Sequence, residues 1–379
     1  MSMVHRMTRR RAAGALGAAT ATLALPGLVR AAVEPLVFGR TVASVGVTGY
    51  LMSETGKGIQ AAFDEANERG GIDGRTLKLV TLDDGGSVEK ATENARLLLQ
   101  RERSFAFIGC GGTTSVLGTL PVVKDAQVPL IAPGTGLDQL RAYNPLVIHT
   151  RASYATEVAR IVQQLSIINQ GRCAVVYNDN VLGSAMLAAF DAAAHKVGNV
   201  QWKAFLLQES RDAIGRVVDE ISAWQPASRM GFNSGDNAFE FTQALVQKCK
   251  AQPFQISLGG AKPVLDRLGD AAKGTTVCQV MPSPENMSMR IVRDYSKAIG
   301  KQPGAQPNYA SIEGYIGARV MIEALRRAGA NASRERFVAA FQGMRPYDLG
   351  GYEVSYAPGD HGGSVFTELT YFNGTRYVR

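Results

Sequence analysis

Cysteine and histidine are scarce in this chain, and their scarcity excludes several kinds of site. The 379 residues contain only 4 cysteines and 4 histidines. No CxxC pair is present, so neither a zinc ribbon nor a dithiol redox centre is predicted. Four cysteines do not define a disulfide framework in a chain of this length. Cys249 and Cys278 are the only pair for which a bridge is considered.

Catalytic signatures are also missing. The sequence has no GxSxG motif, no GK[ST] phosphate loop, and no nucleophile, histidine and acid in a recognisable order. The glycine-rich segment 109–114 lacks the third glycine of the dinucleotide fingerprint, and it follows the third predicted strand rather than the first. The sequence therefore predicts a protein that is not an enzyme, with no catalytic residues, no metal and no cofactor.

Positive charge is concentrated at the start of the chain. The formal net charge is +8, but residues 1–31 hold five arginines and no acid, which leaves +3 on the remainder. No lysine and arginine cluster is interleaved with aromatic residues. A nucleic-acid partner is therefore not predicted.

Residues 1–31 have the pattern of a secretory signal peptide. A basic segment is followed by an apolar, alanine-rich run and by small residues that fit a cleavage site. Its paired arginines favour the twin-arginine export route, and the general secretory route stays open. A membrane anchor is the alternative, but Pro26 and Gly27 end a run shorter than the ~20 residues of a spanning helix. We expect a periplasmic protein that begins near Ala32 or Val33.

After residue 31, strand-like apolar runs alternate with amphipathic helical segments. Strands joined by crossovers of a dozen or more residues form parallel sheets. One series of alternating strands and helices extends to residue 150, and a second series starts at residue 151. The sequence therefore predicts an α/β protein with two doubly wound parallel-sheet lobes.

The end of the chain departs from this alternation. Two helices are predicted at 289–299 and 312–328, followed by short antiparallel strands within 351–378. Several segments must then cross between the lobes and form a hinge over a cleft. The expected division is 32–150 plus 283–348 for lobe one and 151–282 plus 349–379 for lobe two.

Two glycine-rich loops follow buried strands of the first lobe. The strand at 105–108 breaks into a turn that opens a helix at 113–115, and the run at 128–132 ends in a similar loop. Free backbone N–H groups at a helix N-terminus, together with hydroxyl groups, can hold an anion. Helix capping is the alternative role for the threonines. The predicted ligand-binding residues of these loops are Gly112, Thr113, Thr114, Gly134, Thr135 and Gly136.

An ordered set of motifs links the chain to a known family. It comprises Gly58-x-x-Ala61, Asn67-x-x-Gly70-Gly71, Asp83-Asp84, Val128-Pro-Leu-Ile, Val175-Val-Tyr-Asn-Asp and Glu313-Gly-Tyr315. The set resembles the bacterial periplasmic solute-binding proteins of the branched-chain amino-acid (Leu/Ile/Val) receptor type, over nearly the whole mature chain. The resemblance implies the type I periplasmic binding fold, a monomer, and delivery of a small ligand to the permease and ATPase subunits of an ABC importer. A sensor for a membrane signalling partner would have the same fold.

The resemblance also implies that the two glycine-rich loops hold a ligand carboxylate. Amino-acid binders of the family place an acid for the ligand ammonium after a strand of the second lobe, where this chain has Gly259-Gly260-Ala261. We therefore expect a carboxylic acid without an α-amino group. Glu313 and Asp179 are the acids that could serve a branched-chain or other amino acid instead.

Three further residues are predicted to reach the cleft. Tyr154 either walls the cleft or staples the next helix, Asn233 ends a strand of the second lobe, and Tyr315 lies on the return helix. Arg151 is expected to have a structural role near the hinge. Asp83 and Asp84 are expected to serve as loop and cap residues.

Overall fold

The computed structural model describes residues 34–168, 172–208, 210–232 and 236–379. The predicted signal peptide lies outside these residues. Within them, no helix is both long and apolar enough to cross a bilayer.

The first lobe is built on a five-stranded parallel sheet with the order β2-β1-β3-β4-β5. Its strands are β1 (Leu36–Val42), β2 (Leu77–Asp83), β3 (Ala106–Ile108), β4 (Leu130–Ile131) and β5 (Val147–Ile148). The first four strands are connected by α1 (Gly46–Glu68), α2 (Val88–Gln100) and α3 (Thr113–Ala126). Because β3 and β4 are parallel neighbours, the two glycine-rich loops that follow them lie at the same edge of the sheet.

The second lobe has a seven-stranded sheet with the order β15-β14-β10-β9-β8-β6-β7. The first part of this lobe is α4 (Tyr154–Ile167), β6 (Arg172–Tyr177), α5 (Val181–Val197), β7 (Gln201–Leu206), α6 (Arg211–Trp224) and β8 (Ser228–Phe232). It continues with α7 (Asp236–Lys248), β9 (Gln252–Ile256), α8 (Lys262–Leu268) and β10 (Thr276–Gln279), and much later β14 (Glu368–Phe372) and β15 (Tyr377–Val378). Strands β6 to β10 are parallel, whereas β14 and β15 are antiparallel additions. The predicted two-lobed α/β architecture is confirmed.

Three helices return to the first lobe: α9 (Arg290–Ile299), α10 (Tyr309–Ala328) and α11 (Arg334–Phe341). Asn308 caps α10 in a reciprocal pair with Ser311. Helices α1 and α10 approach very closely, because a Cβ atom at Gly58 would lie 1.8 Å from the Ser311 carbonyl oxygen. A Cβ atom at Gly314 would likewise lie 2.0 Å from the Thr55 carbonyl oxygen. Glycine at both positions therefore permits this packing.

A small antiparallel sheet of β11 (Tyr347–Asp348), β12 (Glu353–Ala357) and β13 (Asp360–Gly363) precedes β14. Tyr352 and Tyr356 are fully buried in the same apolar cluster as α10. Their hydroxyls donate to the carbonyl oxygens of Thr150 (2.7 Å) and His149 (2.8 Å). This packing places 347–363 with the first lobe and only 368–378 in the second sheet, whereas the sequence prediction put all of 349–379 in lobe two. We therefore propose that the chain passes from the first lobe to the second between residues 363 and 368.

All four cysteines are free and buried. Cys249 follows the end of α7 and lies in one apolar cluster with residues of α6 and α7, whereas Cys278 lies in a separate cluster with residues of α4. The disulfide considered between them is not formed. Both thiols act as small apolar groups in the core.

Candidate functional site

The loop after β3 ends in an open helix N-terminus. Gly112 is the N-cap of α3 at φ 88°, and no side chain caps the helix. The Gly112 carbonyl oxygen accepts from the N–H of Val116, so the N–H groups of residues 113–115 are the unpaired donors of the first turn. The Ser115 hydroxyl is buried and has no partner among the described residues. These groups form a set of donors suited to an anion.

The loop after β4 completes this set. The hydroxyl oxygens of Thr113 and Thr135 lie 3.2 Å apart. The N–H of Gly134 donates to the Cys110 carbonyl oxygen (2.8 Å), which joins the two loops. We refer to residues 112–115 and 134–136 as the first-lobe cradle.

Met52 of α1 packs against the joined loops. A Cβ atom at Gly111 would lie 1.5 Å from the Met52 Sδ atom, and one at Gly134 would lie 3.0 Å from it. A side chain at position 111 would therefore displace the Met52 side chain.

Arg40 is a buried cation in the first lobe, with 1% exposure. Its Nη2 atom donates to the Met52 carbonyl oxygen (2.9 Å), and its Nε atom has no partner among the described residues. Burial lowers the pKa of the guanidinium to about 10, which still leaves it charged at neutral pH. No ion pair neutralises it in the described part of the chain, so it adds positive potential to this lobe.

A pocket of about 320 Å³ lies between the lobes beside the first-lobe cradle. Gly134 and Met52 form part of its first-lobe wall, and Ser257 and Leu258 come from the loop after β9. Aromatic rings account for much of the lining: Tyr50, Tyr154, Tyr309 and Tyr377. The pocket is therefore mainly apolar, with polar groups at a few points.

Arg151 is the centre of a charged network at the back of this pocket. Its Nη2 atom donates to the Glu157 Oε1 atom (2.9 Å) and to the Ser257 hydroxyl (2.8 Å). Its Nη1 atom donates to Glu313 of α10 (3.3 Å). Glu157 is fully buried and also accepts from the Ser257 N–H at 2.6 Å. The network ties α4, the β9 loop and α10 together across the lobes.

Burial and ion pairing act in opposite directions on these groups. Burial raises the pKa of Glu157 to about 7, although Arg151 and Ser257 favour its charged form. Burial alone would lower the pKa of Arg151, but the carboxylates of Glu313 and Glu157 outweigh it and raise that pKa above its usual value. Arg151 is therefore charged at every accessible pH.

Comparison with known proteins identifies the family. The periplasmic binding protein model matches residues 36–365. The chain belongs to the periplasmic binding protein family. Proteins of this family are non-enzymatic and bind solutes, so the prediction that the chain is not an enzyme is confirmed, and membership implies an extracytoplasmic location.

Individual relatives of this periplasmic binding protein are distant. The "Leu/Ile/Val-binding protein homolog 7" of Brucella abortus (strain 2308) is 23% identical over 301 residues, 74% of each chain. An "Amino acid binding protein" of Pseudomonas aeruginosa is 24% identical over 189 residues, and the match spans only 48% of this chain and 49% of that relative. The crystal structure of an ABC transporter solute-binding protein from R. palustris in complex with benzoate is 17% identical. It has a TM-score of 0.77 and covers 91% of this chain and 95% of that one. At these identities the structural likeness shows the fold.

The structure brings most of the predicted binding residues together. Gly134 and Tyr154 line the inter-lobe pocket, while the others in the two loops form the adjacent cradle. Thr135 and Gly136 are buried there, and the Gly136 carbonyl oxygen accepts from the Tyr154 N–H (2.7 Å). Thr114 is exposed. Asn233 lies outside the described residues.

Tyr315 does not reach the pocket, contrary to its prediction as a cleft residue. Its ring is fully buried in the first lobe, and its hydroxyl donates to Glu65 (2.7 Å) and accepts from Arg319 (2.6 Å). Two positions earlier on α10, Glu313 faces the pocket instead. Residues i and i+2 of a helix are rotated by about 200° about its axis, so Tyr315 and Glu313 face nearly opposite sides of α10.

Arg151 has the structural role expected of it near the hinge, because it pairs with two carboxylates, and it also lines the pocket. One of these carboxylates could have been anticipated from the sequence. The available signal was Glu157, which occupies the same helical stripe as Ile161 and Leu165 of α4. An acid in an apolar stripe needs a buried cation. Asp83 and Asp84 have the expected loop roles, since they accept from Ser44, Thr41 and turn amides.

Proposed function

We propose that this periplasmic binding protein captures a small carboxylate-bearing ligand between its lobes and delivers it to the permease and ATPase subunits of an ABC importer. The observation that carries the proposal is the uncapped N-terminus of α3 beside the paired hydroxyls of Thr113 and Thr135. Three N–H groups that have no partner among the described residues, together with two hydroxyls, suit both oxygens of a carboxylate. The buried positive charge of Arg40 also favours an anionic ligand.

The pocket walls favour an apolar or aromatic body for that ligand. Four tyrosines line a volume of about 320 Å³, which suits a compact acid. The R. palustris solute-binding protein, which shares the fold, was crystallised with benzoate. That complex supports an aromatic acid as a first probe.

The ligand is proposed to lack an α-amino group. An ammonium buried in the cleft needs an anionic partner, since each unpaired buried ion costs several kcal/mol. The loop 259–261 has no acid, and Glu157 is already fully engaged by Arg151 and Ser257. Asp179 is exposed and lies outside the pocket lining.

An amino-acid ligand is the second candidate, because of Glu313. Its carboxylate lines the pocket, and its side chain is 20% exposed although it pairs with Arg151. In that case Glu313 would hold the ammonium while the first-lobe cradle holds the carboxylate. Several relatives are named as Leu/Ile/Val-binding proteins, which supports testing this candidate.

A thermal-shift screen with matched pairs separates the two candidates. Each amino acid is compared with its des-amino acid: leucine with 4-methylpentanoate, and phenylalanine with 3-phenylpropanoate, with benzoate added. A ligand at a hundred times its dissociation constant stabilises the fold by about 2.7 kcal/mol. We expect the des-amino acids to raise the melting temperature. A strong shift with leucine alone would favour an amino-acid ligand whose ammonium group binds Glu313.

Thr113→Val tests the cradle itself. The substitution keeps the shape of the side chain and removes one hydroxyl donor to a charged acceptor, so affinity should fall by about 10- to 100-fold, or ~1.5–3 kcal/mol. Thr242→Val is the matched control, because that hydroxyl bonds only to the backbone of α7. Unchanged affinity of Thr113→Val in calorimetry would show that the Thr113 hydroxyl does not bind the ligand.

Transport and sensing are separated in cells. Deletion of the gene should abolish uptake of the radiolabelled ligand while chemotactic and transcriptional responses to it persist. Normal uptake with a lost response would instead identify a sensor for a membrane signalling partner.

A further inference from the structure

A second cavity lies in the second lobe, away from the inter-lobe pocket. Its volume is about 630 Å³, and it is formed where strands β8 and β9 begin. Arg229 and Pro253, which pair in the two strands, both line it. The inter-lobe pocket is lined instead by the loop that follows the end of β9. The two cavities therefore lie at opposite ends of the strands of the same sheet.

Arg229 is an uncompensated cation at the base of this cavity. The residue is only 7% exposed, and its Nε atom has no hydrogen-bond partner among the described residues. No carboxylate pairs with it in the part of the chain that the structure describes. The nearby group that affects its charge is the thiol of Cys249. A buried guanidinium without a counter-charge is costly, so its presence indicates a partner from solution.

The rim of the cavity carries the same sign of charge. Lys250 and Lys273 are exposed lining residues, and within the described ranges neither forms an ion pair. Asp270 is the one acid among the lining residues. The lining therefore holds three cations and one anion. The exposed amides of Gln243 and Gln247 add donors at the mouth.

We propose that this cavity binds a phosphate-type tetrahedral oxyanion, with the Arg229 guanidinium as its main contact and Lys250 and Lys273 at the entrance. The planar fork of arginine presents two parallel donors to two oxygens of such an anion. The two ammonium groups at the rim attract it and neutralise its remaining charge. The site is independent of the ligand held between the lobes.

Thermal unfolding in sodium phosphate, against sodium chloride of equal ionic strength, tests the site. At about ten times the dissociation constant, phosphate should raise the melting temperature by about 2–4 °C. Arg229→Met should lose this shift. Arg334→Met, a partly buried arginine of the first lobe, is the matched control and should keep it. Thr113→Val should also keep it, which excludes phosphate bound in the first-lobe cradle.

A rim variant covers the case in which Arg229→Met does not fold. Lys250→Ala with Lys273→Ala changes only exposed side chains, and calorimetry should show phosphate binding at least fivefold weaker. Co-sedimentation with phosphatidylglycerol vesicles, against phosphatidylcholine vesicles, distinguishes a lipid headgroup from free phosphate as the source of the anion. The absence of a phosphate shift in the wild type, or an undiminished shift in Arg229→Met, would overturn the proposal.

Discussion

The ion network at the back of the inter-lobe pocket makes a quantitative prediction for Arg151→Met. The substitution retains most of the apolar stem but removes the guanidinium that contacts Glu157, Ser257 and Glu313. Glu157 then stays fully buried with no counter-charge and only the Ser257 donors. Removal of one partner of a buried pair costs about 3–5 kcal/mol. This is a large share of the roughly 5–15 kcal/mol that stabilises a typical domain.

The loss should depend on pH because Glu157 can take up a proton. Burial raises the folded-state pKa of Glu157 to about 7, above the ordinary value near 4.5. Protonation of Glu157 therefore stabilises the folded protein at low pH. That contribution is complete below pH 4.5 and is lost as the pH rises through 7. Without Arg151 the folded-state pKa rises further. The destabilisation of Arg151→Met should therefore be full at pH 8 and at least halved at pH 5.

Urea unfolding followed by tryptophan fluorescence measures this directly. The 2 tryptophans, Trp202 and Trp224, both lie in the second lobe, where Glu157 is buried. The double variant Arg151→Met with Glu157→Gln should recover about 2–3 kcal/mol at pH 8, since it removes the unpaired carboxylate. Arg326→Met, exposed on α10, is the control and should change stability by less than about 0.5 kcal/mol. A loss below about 1 kcal/mol at pH 8, or an equal loss at both pH values, would refute the reasoning.

Four further predictions concern single substitutions. Ionisation of Glu157 should cost the wild type up to about 3 kcal/mol of stability between pH 4.5 and 7.5. Glu157→Gln should not show this loss when the two proteins are compared by urea unfolding. Gly111→Ala should destabilise the protein by about 1–3 kcal/mol in the same assay, because its Cβ atom would displace the Met52 side chain. Gly215→Ala, a helical glycine with open space, should instead stabilise it by about 1 kcal/mol. Tyr315→Phe should cost about 1–2 kcal/mol of stability and leave ligand affinity unchanged, and a large affinity loss in calorimetry would place Tyr315 in the cleft after all.

The sequence predicted the elements near the cradle well because their signals are local. The glycine-rich turn after β3 and the start of α3 at Thr113 depend on neighbouring residues, and the structure confirms both. The start of α1 at Gly46 has no comparable local signal. Residues 46–57 are rich in glycine and polar residues, and Val45 provides no side-chain cap. That stretch is helical because α10 packs against it.

Most of the charged part of the site could not be predicted, because two of the three side-chain partners of Arg151 are far away in the chain. Arg151 contacts Ser257 and Glu313, which lie 106 and 162 residues away. No local pattern encodes such pairs. The same holds for Tyr352 and Tyr356, just before and within β12, which bury their rings in the first lobe although β14 belongs to the second.

The late return of the chain to both lobes sets the order in which the protein can mature. Helix α10 covers α1 in the first lobe, and β14 pairs with β10 in the second. A nascent chain that ends before residue 309 therefore lacks a main packing element of each lobe, although both sheets have begun. The lobe that is begun first is completed only at residue 363, shortly before the other at residue 378, so translation of residues 309–378 is the step that commits both lobes to their native packing.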